Sequence, residues 1–435
     1  MSIGSSKRPI AIDLFAGAGG MSLGFEQAGF DIPVSVELDP IHCATHQFNF
    51  PFWSILCRSI TDVTGDEIRQ VLDIQNREID VVFGGPPCQG FSMIGKRALD
   101  DPRNILISHF FRLILELQPK YFVMENVKGL TIEKNLNYLQ EVISKLSKNG
   151  YQFQQPYQVL NAANYGVPQH RERLFLLGCK NGLILPKYPP VITNFSKKYY
   201  PKSKIDKKLY LASCITVWDA IGDLPEVEKY PELLQRDWII AENDYSKPSK
   251  YARKLRGFDD FPHNYSYKRE YDPKILTSSL RTKHTPKSVE RFLATPPGKI
   301  EQVSHFYKLH PEGICNTLRA GTPSSRGAYT SPRPIHPFTP RCITVREAAR
   351  LHSYPDWFRF HVTKWHGFRQ VGNSVPPLLA KAVATEIIRA LNIKPFKPRG
   401  KTHKLEKSEN LELNMSRAAD LYGVDPHTIA PRTRK

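Results

Sequence analysis

The feature that most constrains the fold is a short apolar run that ends in a glycine-rich loop. Residues 9–15 read Pro-Ile-Ala-Ile-Asp-Leu-Phe, and Ala-Gly-Ala-Gly-Gly follows at 16–20. The amphipathic stretch 21–28, closed by Gly29, predicts a helix directly after the loop. Without side chains at the glycines, the backbone can approach a ligand closely, and the first N–H groups of a helix are free to bind it. The unit predicts an adenosyl or dinucleotide site, and a tight structural turn is the alternative.

Further strands alternate with helices along the first 150 residues. Strand patterns at 34–37, 81–85 and 121–126 each end in polar or glycine residues, and helical periodicity runs through 105–117 and 136–146. This alternation predicts an α/β fold with a doubly wound, mostly parallel sheet, whose ligands bind at the carboxyl ends of the strands. Helices are also predicted at 343–351, with Thr344 as the cap, and at 378–391.

The charge of the chain predicts a polyanionic partner. The net charge is +19, and residues 181–340 carry 26 Lys and Arg against 16 Asp and Glu, a local net charge of +10. Seven cysteines without a paired CxxC spacing argue against a disulfide framework or structural zinc, which favours a reducing, cytoplasmic compartment. No apolar run approaches the roughly 18 residues of a membrane helix, so no membrane partner is expected.

Two reactive side chains are predicted to meet at the ends of neighbouring strands. Cys88 lies in the segment Gly-Gly-Pro-Pro-Cys-Gln-Gly at 84–90, where a rigid loop follows a strand, whereas the other six cysteines fit buried structural positions. Glu125 ends the strand 121–126 and could act as a general acid beside this thiol. By itself Glu125 would more often be a salt-bridged surface acid. Glu37, at the end of the strand 34–37, suits a ribose diol.

Seven ordered motifs make the chain resemble the cytosine-C5 DNA methyltransferases from residue 10 to residue 391. The motifs are DLFAGAGG (13–20), VELD (36–39), PPCQGFS (86–92), ENV (125–127), QHRER (169–173), RCITVREAARL (341–351) and QVGNSVPP (370–377). The resemblance implies the class I S-adenosylmethionine-dependent fold with a second, smaller target-recognition domain. It also implies methyl transfer to C5 of a flipped-out cytosine in a short duplex DNA sequence, with no metal.

The resemblance implies a role for each matching residue. Cys88 would be the nucleophile and Glu125 the acid at cytosine N3, with Arg171 and Arg173 orienting Glu125 and the base. The residues expected to bind S-adenosylmethionine are Phe15, Gly17, Gly20, Glu37 (ribose), Leu38 (adenine), Ser59, Ile60, Pro86, Asn373 and Ser374. Where the family usually has Asp-Ile, this chain reads Ser-Ile at 59–60, so either Ser59 or Asp62 would reach the adenine amino group. Gln89, Ser92, Thr317 and Arg319 are the expected DNA contacts.

The resemblance also sets expected domain boundaries. Residues 1–180, completed by 368–393, would form the catalytic and cofactor-binding domain. Residues 181–367 would form the small domain, with target recognition at about 181–340; for any single lysine there, a solvated surface position is the alternative. The basic tail 394–435 is expected to be disordered or docked, although residues 415–429 resemble part of a helix-turn-helix.

Three functions are compatible with these features. The favoured one is a DNA methyltransferase that acts as a monomer on double-stranded DNA, with a cognate restriction endonuclease as a possible partner at the same sequence. An RNA cytosine-C5 methyltransferase and a catalytically inactive DNA-binding regulator on the same fold are the alternatives. The pair Cys88 and Glu125 argues against the regulator, and the basic region 181–340 favours DNA over RNA.

Overall fold

A mostly parallel sheet of eight strands organises the first 180 residues. The computed structural model describes residues 8–71, 77–87, 105–131, 133–194, 211–320, 333–398, 400 and 402–429. The strands of the sheet are β1 (Ile10–Leu14), β2 (Asp31–Glu37), β3 (Ser54–Cys57), β4 (Val81–Gly84), β5 (Tyr121–Asn126), β6 (Tyr151–Phe153), β7 (Gln158–Asn161) and β8 (Glu172–Lys180). Their order is β3-β2-β1-β4-β5-β8-β6, and β7 also pairs with β8.

The sheet reverses its winding between β1 and β4. Strands β1 to β5 pair in parallel, and β8 is antiparallel to β5, β6 and β7. The predicted doubly wound sheet is therefore confirmed. Ligands of such sheets bind beyond the carboxyl ends of the strands at the point of reversal, which here lies beside the glycine-rich loop.

Helices cover both faces of the sheet. They are α1 (Gly20–Ala28), α2 (Pro40–Asn49), α3 (Gly65–Val71), α4 (Ile105–Leu117) and α5 (Glu133–Lys148). One apolar cluster joins alternate residues of β1 and β2 to α3, α4 and α5, and the other joins the opposite face to α1. Strands that are buried on both faces explain why the sequence shows continuous apolar runs rather than alternation.

A helix from the far end of the chain completes the second face. Helix α11 (Pro377–Ala390) packs along α1 and shares its apolar cluster. The contact is close at Gly24, where a Cβ would lie only 2.4 Å from that of Ala380. Any larger residue at position 24 would push α11, and the motif that precedes it, away from the sheet.

The region between the sheet and α11 contains short elements and most of a third apolar cluster. They are β9 (Thr193–Asn194), β10 (Ala212–Ser213), α6 (Val217–Ile221), β11 (Ile239–Ile240), α7 (Lys250–Leu255), β12 (Ile275–Leu276), α8 (Pro286–Ala294), α9 (Val345–Leu351) and α10 (Lys364–Asn373). Thr344 caps α9 as predicted, and it forms a reciprocal capping box with Glu347. The cluster also takes in Leu23 and Phe50, so it joins this region to α1 and the end of α2.

The described part of the tail is docked on the sheet region through α12 (Met415–Tyr422). Ala418 and Ala419 are fully buried, α12 packs on α2, and the Tyr422 hydroxyl donates to Gln47 Oε1 at 2.8 Å. A docked tail was one of the two expected outcomes. Among the described residues, no helix is long and apolar enough to cross a membrane.

Candidate active site

The glycine-rich loop opens a space at the carboxyl end of β1. Phe15 and Gly17 have positive φ angles of 73° and 55°, and the N–H groups of Phe15 and Ala16 both donate to Val36 O at 3.0 Å. A Cβ added to Gly17 would meet no atom within 4 Å. The loop is therefore fixed to β2 while its outer side stays open to a ligand.

Glu37 closes this space from the end of β2. Its Oε2 accepts the Gly17 N–H at 2.8 Å, and its Oε1 accepts the Asp39 N–H at 2.9 Å. Leu38 is half-buried beside it. A carboxylate with both oxygens anchored by backbone donors is held in one orientation, and its remaining lone pairs can accept from the hydroxyls of a ribose.

The turn after β3 brings both candidates for the adenine contact to the same edge of the sheet. Asp62 N–H donates to Ser59 O at 3.0 Å, and the Thr61 hydroxyl lies 2.6 Å from Ser59 Oγ and 2.8 Å from Asp62 Oδ1. Ile60 is buried within the apolar cluster beneath the turn. Ser59 is half-buried and Asp62 is exposed.

Gly20, at the end of the glycine-rich loop, packs against the last motif, residues 370–377, and leaves no open space there. A Cβ on Gly20 would lie 2.4 Å from the Tyr354 hydroxyl and 2.6 Å from Val375 O. Ser374 is half-buried, and Asn373 is exposed at the end of α10. Gly20 thus makes room for the last motif, while Gly17 borders open space and Phe15 is half-buried against the apolar cluster of the sheet.

Glu125 lies at the carboxyl end of β5 in a buried ion pair with Arg173. Arg173 Nε is 2.8 Å from Glu125 Oε1, and the two side chains are 15% and 12% exposed. Burial raises the pKa of the Glu125 carboxyl, although the guanidinium groups of Arg173 and Arg171 oppose this shift. A Cβ on Gly85 would lie 2.8 Å from Glu125 Oε2, so only glycine leaves this oxygen its place beside the strand end of β4.

Asn126 connects Glu125 to the segment that leads into Cys88. Its amide Nδ2 donates to Pro86 O at 3.2 Å, and its Oδ1 accepts the Val127 N–H at 2.8 Å. The sequence had not assigned this bridging role, which appears only when β4 and β5 are placed side by side. Cys88, Gln89 and Ser92 lie outside the described residues, and the chain is described up to Pro87.

Arg171 does not make the contact that was expected of it. Its guanidinium donates to three backbone carbonyls, those of Leu318 (2.7 Å), Gly372 (2.9 Å) and Ser374 (2.8 Å). The side chain is fully buried. Arg173 orients Glu125 directly, whereas Arg171 joins the motif 370–377 and the segment around residue 318 to the start of β8.

Two buried side chains extend this junction and were missed in the sequence. Gln169 Nε2 lies 2.9 Å from His352 Nδ1, and Gln169 Oε1 accepts the Leu318 N–H at 3.1 Å. His352 Nε2 in turn lies 3.1 Å from Ser374 O. Gln169 lies in the motif 169–173 and His352 directly follows the motif 341–351, but the contacts of Gln169 join residues 149 and 183 positions apart, beyond the reach of local sequence patterns.

The two predicted DNA contacts near residue 318 differ in their surroundings. The Thr317 hydroxyl donates to His170 O at 2.6 Å, whereas Arg319 is exposed. The backbone of Arg319 passes close to Gly372, where a Cβ would lie 2.2 Å from Arg319 C. Arg319 therefore extends from the same junction that Arg171 holds together.

Five of the six described cysteines are poor nucleophiles, namely Cys43, Cys179, Cys214, Cys315 and Cys342. Cys43, Cys57, Cys179, Cys315 and Cys342 are buried, Cys214 is half-buried, and all six are unpaired. Burial raises the pKa of Cys214 to about 11 and that of Cys342 to about 12. Thiols that resist ionisation cannot supply a thiolate at neutral pH. No group of side chains suited to holding a metal ion occurs within the described ranges.

A family comparison agrees with this arrangement. Residues 10–389 match the model of the C-5 cytosine-specific DNA methylases. The chain belongs to this family. It is a DNA (cytosine-5) methyltransferase of the type II restriction-modification class, which confirms the resemblance seen in the motifs.

Individual relatives of this methylase support the same assignment. The chain is 56% identical to the type II methyltransferase M.XorII of Xanthomonas oryzae pv. oryzae, over 98% of this chain and 95% of the relative. It is 32% identical to M.DdeI of Desulfomicrobium norvegicum, over 86% of this chain and 88% of that protein.

Solved structures confirm the class I methyltransferase fold. A prophage-encoded DNA modification methyltransferase from E. coli superposes with a TM-score of 0.67 at 33% identity, covering 88% of this chain and all of that one. An Entamoeba histolytica methyltransferase, at 16% identity and a TM-score of 0.52 over 89% and 99% of the two chains, shares the fold alone.

Proposed function

We propose that this methylase transfers a methyl group from S-adenosylmethionine to C5 of a flipped-out cytosine in a specific short sequence of duplex DNA. The observation that carries the proposal is the buried carboxyl group of Glu125 at the end of β5. It is paired with Arg173 and lies against Gly85, three residues before Cys88. We further propose that the enzyme acts as a monomer on DNA in the bacterial cytoplasm and that an endonuclease with the same specificity accompanies it.

The cofactor would occupy the open space at the ends of β1 and β2. A Cβ at Gly17 would enter that space without contact, and the carboxylate of Glu37 borders it with both oxygens fixed. Phe15, Leu38, Ile60 and either Ser59 or Asp62 would surround the adenosine, and Pro86, Asn373 and Ser374 the methionine end. When bound, S-adenosylmethionine supplies an electrophilic methyl group.

The proposed reaction begins with nucleophilic addition to the cytosine ring. C5 is a weak nucleophile because attack from it breaks the aromatic ring. The thiolate of Cys88 would add to C6 while the proton of Glu125 passes to N3, so that no charge accumulates on the ring. C5 would then take the methyl group. Loss of the C5 proton to a base, expulsion of the Cys88 thiolate and return of the N3 proton to Glu125 would restore the aromatic ring.

Glu125 must carry a proton near neutral pH to perform this step. Its burial raises the pKa in the required direction, and the Arg173 guanidinium limits the rise while holding the carboxyl in place. Because the target carbon is inaccessible in a stacked duplex, the cytosine must leave the helix, at a cost of a few kcal/mol.

We also propose the domain division expected from the motifs. Residues 1–180 with 368–393 would bind the cofactor and carry out the chemistry, and residues 181–367 would read the DNA. The packing of α11 on α1 supports the first unit. The tail 394–435 would belong to the cofactor-binding side, because α12 packs on α2.

Transfer of tritium from labelled S-adenosylmethionine to duplex DNA tests the function, with tRNA as the competing substrate. We expect incorporation into DNA that depends on sequence and is lost in Cys88→Ser. DNA containing 5-fluorocytosine should trap a covalent adduct at Cys88, since fluorine cannot leave as a proton does. Incorporation into tRNA alone, or an adduct at one of the other six cysteines, would contradict the proposal.

A further inference from the structure

Three polar side chains from three elements form a buried chain behind the glycine-rich loop. Ser22 Oγ on α1 lies 2.5 Å from Asp13 Oδ2 on β1 and 3.3 Å from His46 Nε2 on α2. All three residues are at most 1% exposed. A polar chain of this kind is costly to bury, so each of its members must be matched to its neighbours.

The chain supports the loop from beneath. Gly19, the N-cap of α1, has a φ of 100°, and a Cβ there would lie 3.1 Å from His46 Cδ2. Asp13 precedes Phe15 by two residues in the same chain segment, and α2 starts three residues after Glu37. Asp13, Ser22 and His46 therefore connect both ends of the loop to the helix that follows Glu37.

The surroundings of Asp13 offer its carboxyl group no positive partner among the described residues. On its face of the sheet it is opposed by Ser35 in β2 and flanked by Phe83 in β4. Asp13 Oδ1 and Ser35 Oγ have no hydrogen-bond partner in the described chain. The remaining charge that acts on Asp13 is the carboxylate of Glu37, which is repulsive.

Asp13 and His46, the two ends of this series of hydrogen bonds, are therefore both neutral at neutral pH. Burial raises the pKa of Asp13 to about 8, with the nearby Glu37 acting in the same direction and the Ser22 hydrogen bond opposing it. Burial lowers the pKa of His46 to about 3. A neutral imidazole has one donor and one acceptor nitrogen, so it can take either of two tautomers.

We propose that Asp13 is a positioning residue that acts as a neutral carboxylic acid. It donates a hydrogen bond to the Ser22 hydroxyl, which in turn donates to His46, and these bonds fix the loop that presents Phe15 and Gly17 to the cofactor. The role in cofactor binding rests on the proposed function, whereas the expected effect on thermal stability does not. Loss of the Asp13 proton to solvent reverses the chain: Ser22 then donates to Asp13, and His46 must donate from Nε2. Ionisation also places a second negative charge beside Glu37.

The substitution Asp13→Asn separates this role from that of an ionised aspartate, because an amide donates to Ser22 as a neutral acid does. The affinity for S-adenosylhomocysteine, measured by calorimetry between pH 6.5 and 9.5, should fall by up to about tenfold per pH unit above pH 8 in the wild type. The variant should bind within roughly threefold of the wild type at pH 7 and lack this fall. Comparing the two proteins cancels the titration of the ligand's own amino group.

Asp80→Asn is the matched control. Asp80 also contacts β1, because its carboxyl group accepts the Ile10 N–H, but this contact lies at the opposite end of the strand from the glycine-rich loop. It should keep the wild-type pH dependence. Ser22→Ala breaks the chain without touching either end, so it should raise the KM for S-adenosylmethionine while leaving kcat almost unchanged. Wild-type affinity in Ser22→Ala, or an unchanged alkaline fall in Asp13→Asn, would overturn the inference.

Thermal stability without any ligand gives an independent result. A carboxyl whose folded pKa is raised makes its full contribution below its unfolded pKa, near 4, and loses it as the pH rises to about 8. The Tm of Asp13→Asn minus that of the wild type should therefore increase between pH 5 and 8 and then level off. A constant difference would overturn the inference even if the cofactor binds. If the wild type fails to bind S-adenosylhomocysteine at any pH, the proposed function fails instead, and the stability result still stands.

Discussion

Glu37 and Glu125 both lie at the carboxyl ends of strands, at the same edge of the sheet, but their carboxyl groups are held in different ways. Glu37, at the end of β2, is held by two backbone N–H groups, those of Gly17 and Asp39. Glu125, at the end of β5, is held by the Arg173 side chain and lies against Gly85. Backbone donors fix the position of an acceptor, whereas burial raises the pKa of a carboxyl group and allows it to carry and release a proton.

The comparison predicts that the largest loss follows from removing the proton of Glu125. Glu125→Gln keeps the shape of the side chain and cannot donate an acidic proton to cytosine N3. We expect kcat for methyl transfer to fall by about 10²–10⁴ while the affinity for S-adenosylhomocysteine stays near the wild-type value. Single-turnover transfer and calorimetry measure the two quantities.

Glu172→Gln is the matched control, since Glu172 is an exposed carboxylate at the start of β8 that pairs with Lys128. It should leave kcat within about threefold of the wild type. A Glu125→Gln enzyme with wild-type turnover would exclude Glu125 as the acid.

A smaller effect of a different kind is expected at Glu37. In Glu37→Gln a single oxygen must serve both the Gly17 and the Asp39 N–H groups and any ribose hydroxyl. Since a hydrogen bond to a charged group contributes about 1.5–3 kcal/mol, the KM for S-adenosylmethionine should rise roughly 10–100-fold. kcat at saturating cofactor should change little. A fall in kcat without a change in KM would mean that Glu37 acts on the chemistry and not on binding.

The ion pair between Arg173 and Glu125 predicts how kcat depends on pH. Glu125 delivers a proton only while it is protonated, so kcat should decline as the pH rises through its pKa. The guanidinium lowers that pKa against the effect of burial. In Arg173→Met the decline should therefore move to higher pH, whatever happens to the maximal rate. A decline that stays at the same pH, or moves lower, would show that another group controls it.

Local sequence was sufficient where a contact is made within one strand–loop–helix unit. The loop from Phe15 to Gly20 and the position of Glu37 follow from the pattern of strands and glycines, and the contact from Gly17 to Glu37 joins residues only 20 positions apart. The capping box of Thr344 was predictable for the same reason. In each case the chemistry of nearby residues determines the geometry.

Contacts between distant segments could not be predicted. Arg171 and Arg173 have the same residue type and lie two positions apart, so the motif suggested one shared role. The structure separates them, because Arg171 meets carbonyl groups that lie 147 to 203 residues away, including that of Leu318. Nor did the small residues Ala418 and Ala419 reveal that α12 packs on α2, since the same pattern fits a helix-turn-helix.

The smallest effects are expected where the target-recognition region meets the DNA backbone. Lys283 and Lys287 are exposed beside the start of α8, and Arg319 is exposed next to Gly372 at the junction with the sheet. If the two lysines contact phosphates, Lys283→Ala and Lys287→Ala should each flatten the slope of log K against log salt by about 0.9, equally on cognate and scrambled duplexes.

Arg319→Ala should keep the slope and lose about 1–3 kcal/mol of discrimination at one base pair, because base contacts carry sequence information and phosphate contacts do not. Filter binding at several salt concentrations on both duplexes measures these quantities. If Arg319→Ala instead flattens the slope and weakens both duplexes alike, Arg319 grips the backbone, and the bases must be read by other residues.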